Sequence, residues 1–196
     1  AQRLIAQGAD ILDIGGESTR PGADPVSAED EIARTLPLIT ALRSVSDIPL
    51  SIDTMKPAVA RAAVAAGASI WNDVAALRYA PEACDVAAEL GCQVVLMHMQ
   101  GEPRTMQAVP HYDDVTAEVC DFLAGRAQAA MAAGVTREKI WLDPGIGFGK
   151  TVDHNLALLA RLDDVVALGF PVLLGVRGVC GRVPGSIAAA LAGAQA

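Results

Sequence analysis

The sequence predicts an α/β fold, an incomplete (β/α)8 TIM barrel of about six βα units, and three observations predict it. Alanine-rich amphipathic segments end at a glycine and lead into short apolar runs. Those runs are continuous rather than alternating, as in parallel strands covered on their faces. Every run then ends in polar residues. A doubly wound sheet collects its site at one switch point, whereas polar groups on successive strand ends describe a barrel mouth.

The elements follow in order. "AQRLIAQGADILDIGG" ends a helix at Gly8 and places a strand over 11–15. "LPLITALRSVSDIPLSIDT" turns at Ser46, Asp47 and Pro49 and gives a strand over 49–53. "ARAAVAAGASIWNDV" repeats the plan through Gly67 with a strand over 69–73, and "VAAELGCQVVLMHMQG" through Gly91 with one over 93–98. "AAMAAGVTREKIWLDPG" uses Gly134 before a strand at 139–143, and "VVALGFPVLLGV" uses Gly169 before one at 171–176. The terminal "SIAAALAGAQA" reads as an alanine helix. The chain thus opens and stops in helical sequence, so residues 1–196 are expected to be one barrel domain lacking its first and last strands. Such an unclosed sheet would expose two edges.

Composition narrows the function classes. A net charge of -8 with scattered Lys and Arg argues against a nucleic-acid surface. No apolar run reaches the ~18 residues of a membrane span. Cys84, Cys92, Cys120 and Cys180 form no C-x-x-C pair, which suits free thiols in a reducing, cytoplasmic compartment. His98, His111 and His154 have no ligand spacing, and only His98 falls at a strand end.

The chemistry is expected at the strand ends, where Asp13, Asp53, Asn72, Asp73, His98 and Asp143 fall. Asp53 in "LSIDT" and Asp143 in "WLDPG" could cap the helices that follow them. Together with Asn72 at one mouth, they instead suit a flat heterocycle with adjacent N–H donors, a guanidine-like ring edge. "GGESTRPGA" after the first strand combines glycines, hydroxyls, Arg20 and Pro21, the make-up of a ligand loop. Arg20 could clamp a pyrophosphate or carboxylate, and Ser18 and Thr19 offer hydroxyl donors. "DPGIGFGK" ends much like a P-loop, but Pro144 stands where that motif needs its first glycine. Lys150 therefore reads as a loop or helix-start residue.

Taken together, "DILDIGGESTRPGA", "SIDT", "WNDV", "VVLMHMQGEPRTMQ" with "YDDV", and "WLDPGIGFGKTVDHNLALLARL" closely resemble dihydropteroate synthase, of the pterin-binding TIM-barrel group, over residues 1 to about 176. The resemblance implies condensation of 6-hydroxymethyl-7,8-dihydropterin pyrophosphate with p-aminobenzoate, giving dihydropteroate and pyrophosphate in folate biosynthesis. It assigns Asp53, Asn72 and Asp143 to the pterin, with Met97 and Phe148 as apolar neighbours. Ser18, Thr19, Arg20 and Pro21 fall in the loop that handles pyrophosphate and p-aminobenzoate.

The resemblance also implies Mg2+, whose asparagine ligand would lie ahead of residue 1, and phosphate contacts on a strand beyond residue 196. Its members commonly dimerise. The family's pterin-contacting lysine falls in "RGVCGRVPG", at Val179 without a gap or at Arg177 with a two-residue deletion. The second alignment restores the Gly-x-x-Gly-Arg pattern. Two other readings carry the same barrel: a pterin-binding methyltransferase domain acting on methyltetrahydrofolate, which "GGESTRPG" and "MHMQG" disfavour, and a degenerate, non-catalytic pterin-binding paralogue.

Overall fold

The computed structural model describes residues 1–19, 22–176 and 187–191, with Val176 and the last five described by their backbone alone. Its elements are α1 (Gln2–Ala6), β1 (Leu12–Gly15), α2 (Ala28–Arg43), β2 (Leu50–Asp53), α3 (Pro57–Ala65), β3 (Ile70–Asp73), α4 (Ala83–Leu90) and β4 (Gln93–Met97). Next come α5 (Val115–Ala132), a 3-10 turn at Arg137–Lys139, β5 (Ile140–Asp143), α6 (Val152–Ala160), α7 (Leu162–Val166), β6 (Val172–Val176) and β7 (Ile187–Leu191). The first six strands fall within one residue of the bounds expected from sequence.

β1 to β6 pair in chain order, all parallel, and form a curled half-barrel. Gly8, Gly67, Gly91, Gly134 and Gly169 all take positive φ where a helix hands over to a strand. At Gly91, the C-cap of α4, φ is 60°, a conformation that costs a residue with a Cβ about 1–2 kcal/mol.

One expectation fails. Ile187–Leu191, read as helix, is a strand antiparallel to β6, running from Val172↔Leu191 to Val176↔Ile187. Alanine's helix preference is a weak, local term, and the open edge of β6 offers a row of unpaired backbone groups that a strand can satisfy.

Alternation along the strands divides the residues between two environments. Leu12 and Ile14, Leu50 and Ile52, Trp71, Val94 and Leu96, Ile140 and Leu142, and Val172 join one core with the helices outside. Their in-between neighbours line the inner face. Trp71, fully buried, anchors the middle of that core and donates its indole N–H to Thr54 O at 2.8 Å, which ties β3 to the loop after β2.

The helices are started by their own sequence. Ser27 caps α2 by accepting from Asp30 N, and Glu29, Asp30 and Glu31 occupy its first turn, where the helix dipole favours negative charge. Asp114 caps α5 through Thr116 N and Ala117 N. Thr151 and His154 form a reciprocal capping box on α6. No helix among the described residues is long and apolar enough to cross a membrane.

Candidate active site

The inner face gathers the polar residues that the strand ends advertise. Register aligns Gly15 with Asp53 and Asp53 with Asn72, while Met97 stands beside Asp143. Two residues earlier on β1, Asp13 stands beside Ser51 and accepts a hydrogen bond from Asn72 Nδ2 at 3.2 Å. That bond orients the Asn72 amide and leaves its oxygen as an acceptor for a ligand. Gly15 packs beside Asp53: a Cβ at position 15 would sit in van der Waals contact, 3.4 Å from both the Cβ and the Oδ2 of Asp53.

Three carboxylates, Asp13, Asp53 and Asp143, thus serve one face of one half-barrel. Crowding by the surrounding protein pushes Asp13 up from its ordinary pKa, against hydrogen bonds from Ser51 and Asn72, although its side chain is exposed on the open face. Burial pushes Asp143 up to about 7, opposed by the Gly145 N–H and by Lys150 and assisted by the charge of Asp13. A cluster of acceptors that is costly to ionise together binds best to a ligand offering several N–H donors.

Met97 belongs to an apolar cluster with Val74, Met99 and Met106, against which Met55 and Phe148 pack. Met97 and Phe148, which the resemblance assigns together, both belong to this cluster, Phe148 at its edge. Methionines suit a flat ring because their flexible, polarisable side chains adapt to an aromatic surface.

The glycine-rich run after β5 is shaped by contacts to β4 and the loop after it. Asp143 Oδ1 accepts from Gly145 N at 2.7 Å, and His98 N donates to Asp143 O at 2.9 Å. Gly145 has φ +68°, and a Cβ there would lie 1.9 Å from His98 O. Lys150 is 3% exposed, its ammonium turned into the loop. Its Nζ donates to Gly145 O at 2.9 Å, Phe148 O at 3.1 Å and His98 O at 3.3 Å, and lies 2.9 Å from His98 Nδ1. Burial lowers Lys150 to about 7, with Asp143 pulling the other way. Burial and then the Lys150 charge lower His98 to about 3, so its neutral ring can accept from the amine. The three histidines have separate structural settings: His98 under this loop, His154 in the α6 cap and His111 at the surface.

Behind Asn72, the side chain of Asp73 is fully buried on the outer side of β3. Its carboxylate accepts from Ala75 N at 2.7 Å and Leu77 N at 2.8 Å. This holds Ala76 and Leu77 at φ 51° and 58°, two successive left-handed residues without glycine. Arg126 clamps the same turn from α5 through Ala76 O and Leu77 O. Two strained residues beside a site residue cost energy that the surrounding hydrogen bonds must offset.

A cleft of about 640 Å³ opens among the loops after β1, β2, β3 and β4. Ser18 and Thr19 line it, with Lys56, Arg78, Tyr79 and Arg104 among its other walls. Arg20, Pro21 and Arg177 lie outside the described residues. Asp13 and Ser51 received no ligand role from the sequence, although Ser51 precedes Asp53 by two residues, the spacing that puts side chains on one face of a strand. Glu17 and Lys56 were missed because nothing local marks their pairing. Among the described residues no group of three or more His, Cys, Asp or Glu side chains is arranged to hold a metal ion.

The comparisons give the chain's family. The model of the pterin binding enzyme family matches residues 1–179. A dihydropteroate synthase of Streptococcus pyogenes is 53% identical over 174 residues, covering 89% of this chain and 63% of the relative. That of Escherichia coli K12 is 43% identical over 206 aligned positions, covering all of this chain and 73% of the relative. The structure of Xanthomonas albilineans dihydropteroate synthase in complex with 7,8-dihydropteroate superposes with a TM-score of 0.80 at 49% identity, over 89% of this chain and 62% of that one. The chain therefore spans less than two thirds of the S. pyogenes and X. albilineans proteins. On a family match across nearly its whole length and identities of 43–53% with these relatives, the chain belongs to the pterin-binding enzyme family that contains the dihydropteroate synthases.

Proposed function

We propose that the chain carries the pterin-binding half of a dihydropteroate synthase site. The observation that carries this reading is the inner face on which Asp53 stands beside Asn72 and Asp143 beside Met97, with Met97 and Phe148 in one apolar cluster. Acceptor oxygens on three strands match the N–H-rich edge of a 2-amino-4-oxo heterocycle, and the methionine cluster matches its flat face.

In the reaction, the bond from the pterin methylene carbon to pyrophosphate breaks as the amine nitrogen of p-aminobenzoate bonds to that carbon and then releases a proton. Positive charge builds on the methylene as the anion departs. The lumen carboxylates favour that charge, and Ser18 and Thr19 border the cleft on the side assigned to the departing anion. The protein's part is to hold the ring and admit the amine in line, with no covalent nucleophile. The resemblance implies Mg2+ held through a single asparagine, and no step here is routed through that ion.

The test is equilibrium binding to the chain itself. A pterin should bind, and Asp143→Asn should weaken it by about 10–150-fold, the worth of hydrogen bonds to a charged group. p-Aminobenzoate or a sulfonamide should bind only when pyrophosphate is present. Binding of methyltetrahydrofolate without that ordering would favour the methyltransferase reading instead, and absence of pterin binding would overturn the proposal.

A further inference from the structure

We propose that Lys56 is a positioning residue that clamps Glu17, and through it fixes Ser18 and Thr19 at the cleft, without itself serving as an anion ligand. The proposal rests on the reading of that cleft as the place of the departing pyrophosphate.

Lys56 is the N-cap of α3, three residues beyond Asp53, and its backbone N–H donates to Thr54 Oγ1 at 3.1 Å. Its ammonium makes ion pairs with Glu17, in the loop after β1, and with Glu31 of α2, the latter at 2.8 Å. Glu31 is fully buried, and its Oε1 is a buried oxygen with no hydrogen-bond partner. Leaving such a carboxylate half satisfied is costly, so the one ammonium that reaches it is held tightly.

The loop after β1 is built to rest on this cluster. A Cβ at Gly16 would lie 2.7 Å from Glu31 Cγ, so only glycine lets the loop backbone sit directly over that side chain. Glu17 offers its other oxygen, Oε1, to Val26 N at 3.1 Å, which spans the base of the loop. One lysine thereby joins β2–α3, α2 and both ends of the segment that carries Ser18 and Thr19.

An ammonium shared by two carboxylates and only 10% exposed has little left to offer an incoming phosphate. Burial alone would lower its pKa, and Glu17 and Glu31 more than reverse that, so it stays charged. Two roles then predict opposite signs. As a phosphate ligand, Lys56 would be freed by Glu17→Gln and would bind the anion more tightly; as a clamp, it would lose its grip on the loop and the anion would bind more weakly.

The experiment combines backbone hydrogen exchange with titration of inorganic pyrophosphate into the chain and its E17Q and K56M variants. Expected are faster exchange at residues 16–19 and 22–26 in both variants, and about 5–50-fold weaker pyrophosphate binding in both. Pterin affinity should stay within about twofold, because the inner-face hydrogen bonds are untouched. Tighter pyrophosphate binding by E17Q, or unchanged exchange in both variants, overturns the proposal. If K56M does not fold, E17Q decides the sign alone. A wild-type chain that binds no pyrophosphate sinks the reading of the cleft, while the exchange arm still decides the clamp.

Discussion

Replacing Gly145 by alanine tests the packing that places Asp143. The new Cβ would lie 1.9 Å from His98 O, so the backbone of one of the two loops has to retreat by more than 1 Å. That retreat costs roughly 1–3 kcal/mol as overpacking, and the left-handed φ of +68° adds roughly 1–2 kcal/mol. Gly147 provides the control within the same loop: its φ is +84°, and a Cβ there meets nothing within 4 Å. Gly147→Ala therefore carries only the conformational term, about 1–2 kcal/mol. Both variants share the stiffening of the unfolded chain, which cancels between them.

Gly145→Ala should be less stable than Gly147→Ala by about 1–3 kcal/mol. Urea denaturation followed by the fluorescence of Trp71 and Trp141, with equal m-values, measures this as a difference in midpoint. Equal midpoints for the two variants would refute the close approach of Gly145 to His98. A Gly145→Ala variant that keeps wild-type pterin affinity would show that the same approach does not set the position of Asp143.

Two further outcomes follow from buried charges. Asp73 is raised from 3.8 to about 6, chiefly by desolvation. Between those values the unfolded state has lost the proton and the folded state keeps it, so stability falls as pH rises through the window. Asp73→Asn removes that slope, and wild type should lose roughly 2–3 kcal/mol relative to the variant between about pH 4 and pH 7. Parallel curves of denaturation midpoint against pH would show that Asp73 is not the source. Lys150→Met removes the donor shared by His98 O, Gly145 O and Phe148 O, and should cost roughly 2–5 kcal/mol with loss of pterin binding. A loss below about 0.5 kcal/mol in the same denaturation assay would mean that the ammonium is not holding the loop.

The sequence alone determined where the first six strands lie and that each of them ends in polar residues. Both rest on local signals: a glycine at each handover, an apolar run of strand length, a polar residue at its tip. The strand-end placement of Asp53, Asn72 and Asp143 was legible because a carboxylate or amide ending a buried strand is locally out of place. What the tertiary structure decided is non-local. Lys56 finds Glu17 and Glu31 across 39 and 25 residues, and Lys150 finds His98 across 52. Asp13 joins the site only because β1 pairs with β2 in one register and Asn72 reaches across β2 to it. Ile187–Leu191 turns from expected helix to strand because the open edge of β6 outweighs alanine's own preference. Propensity is written residue by residue, whereas a partner for a buried charge or an open strand edge exists only once distant segments have met.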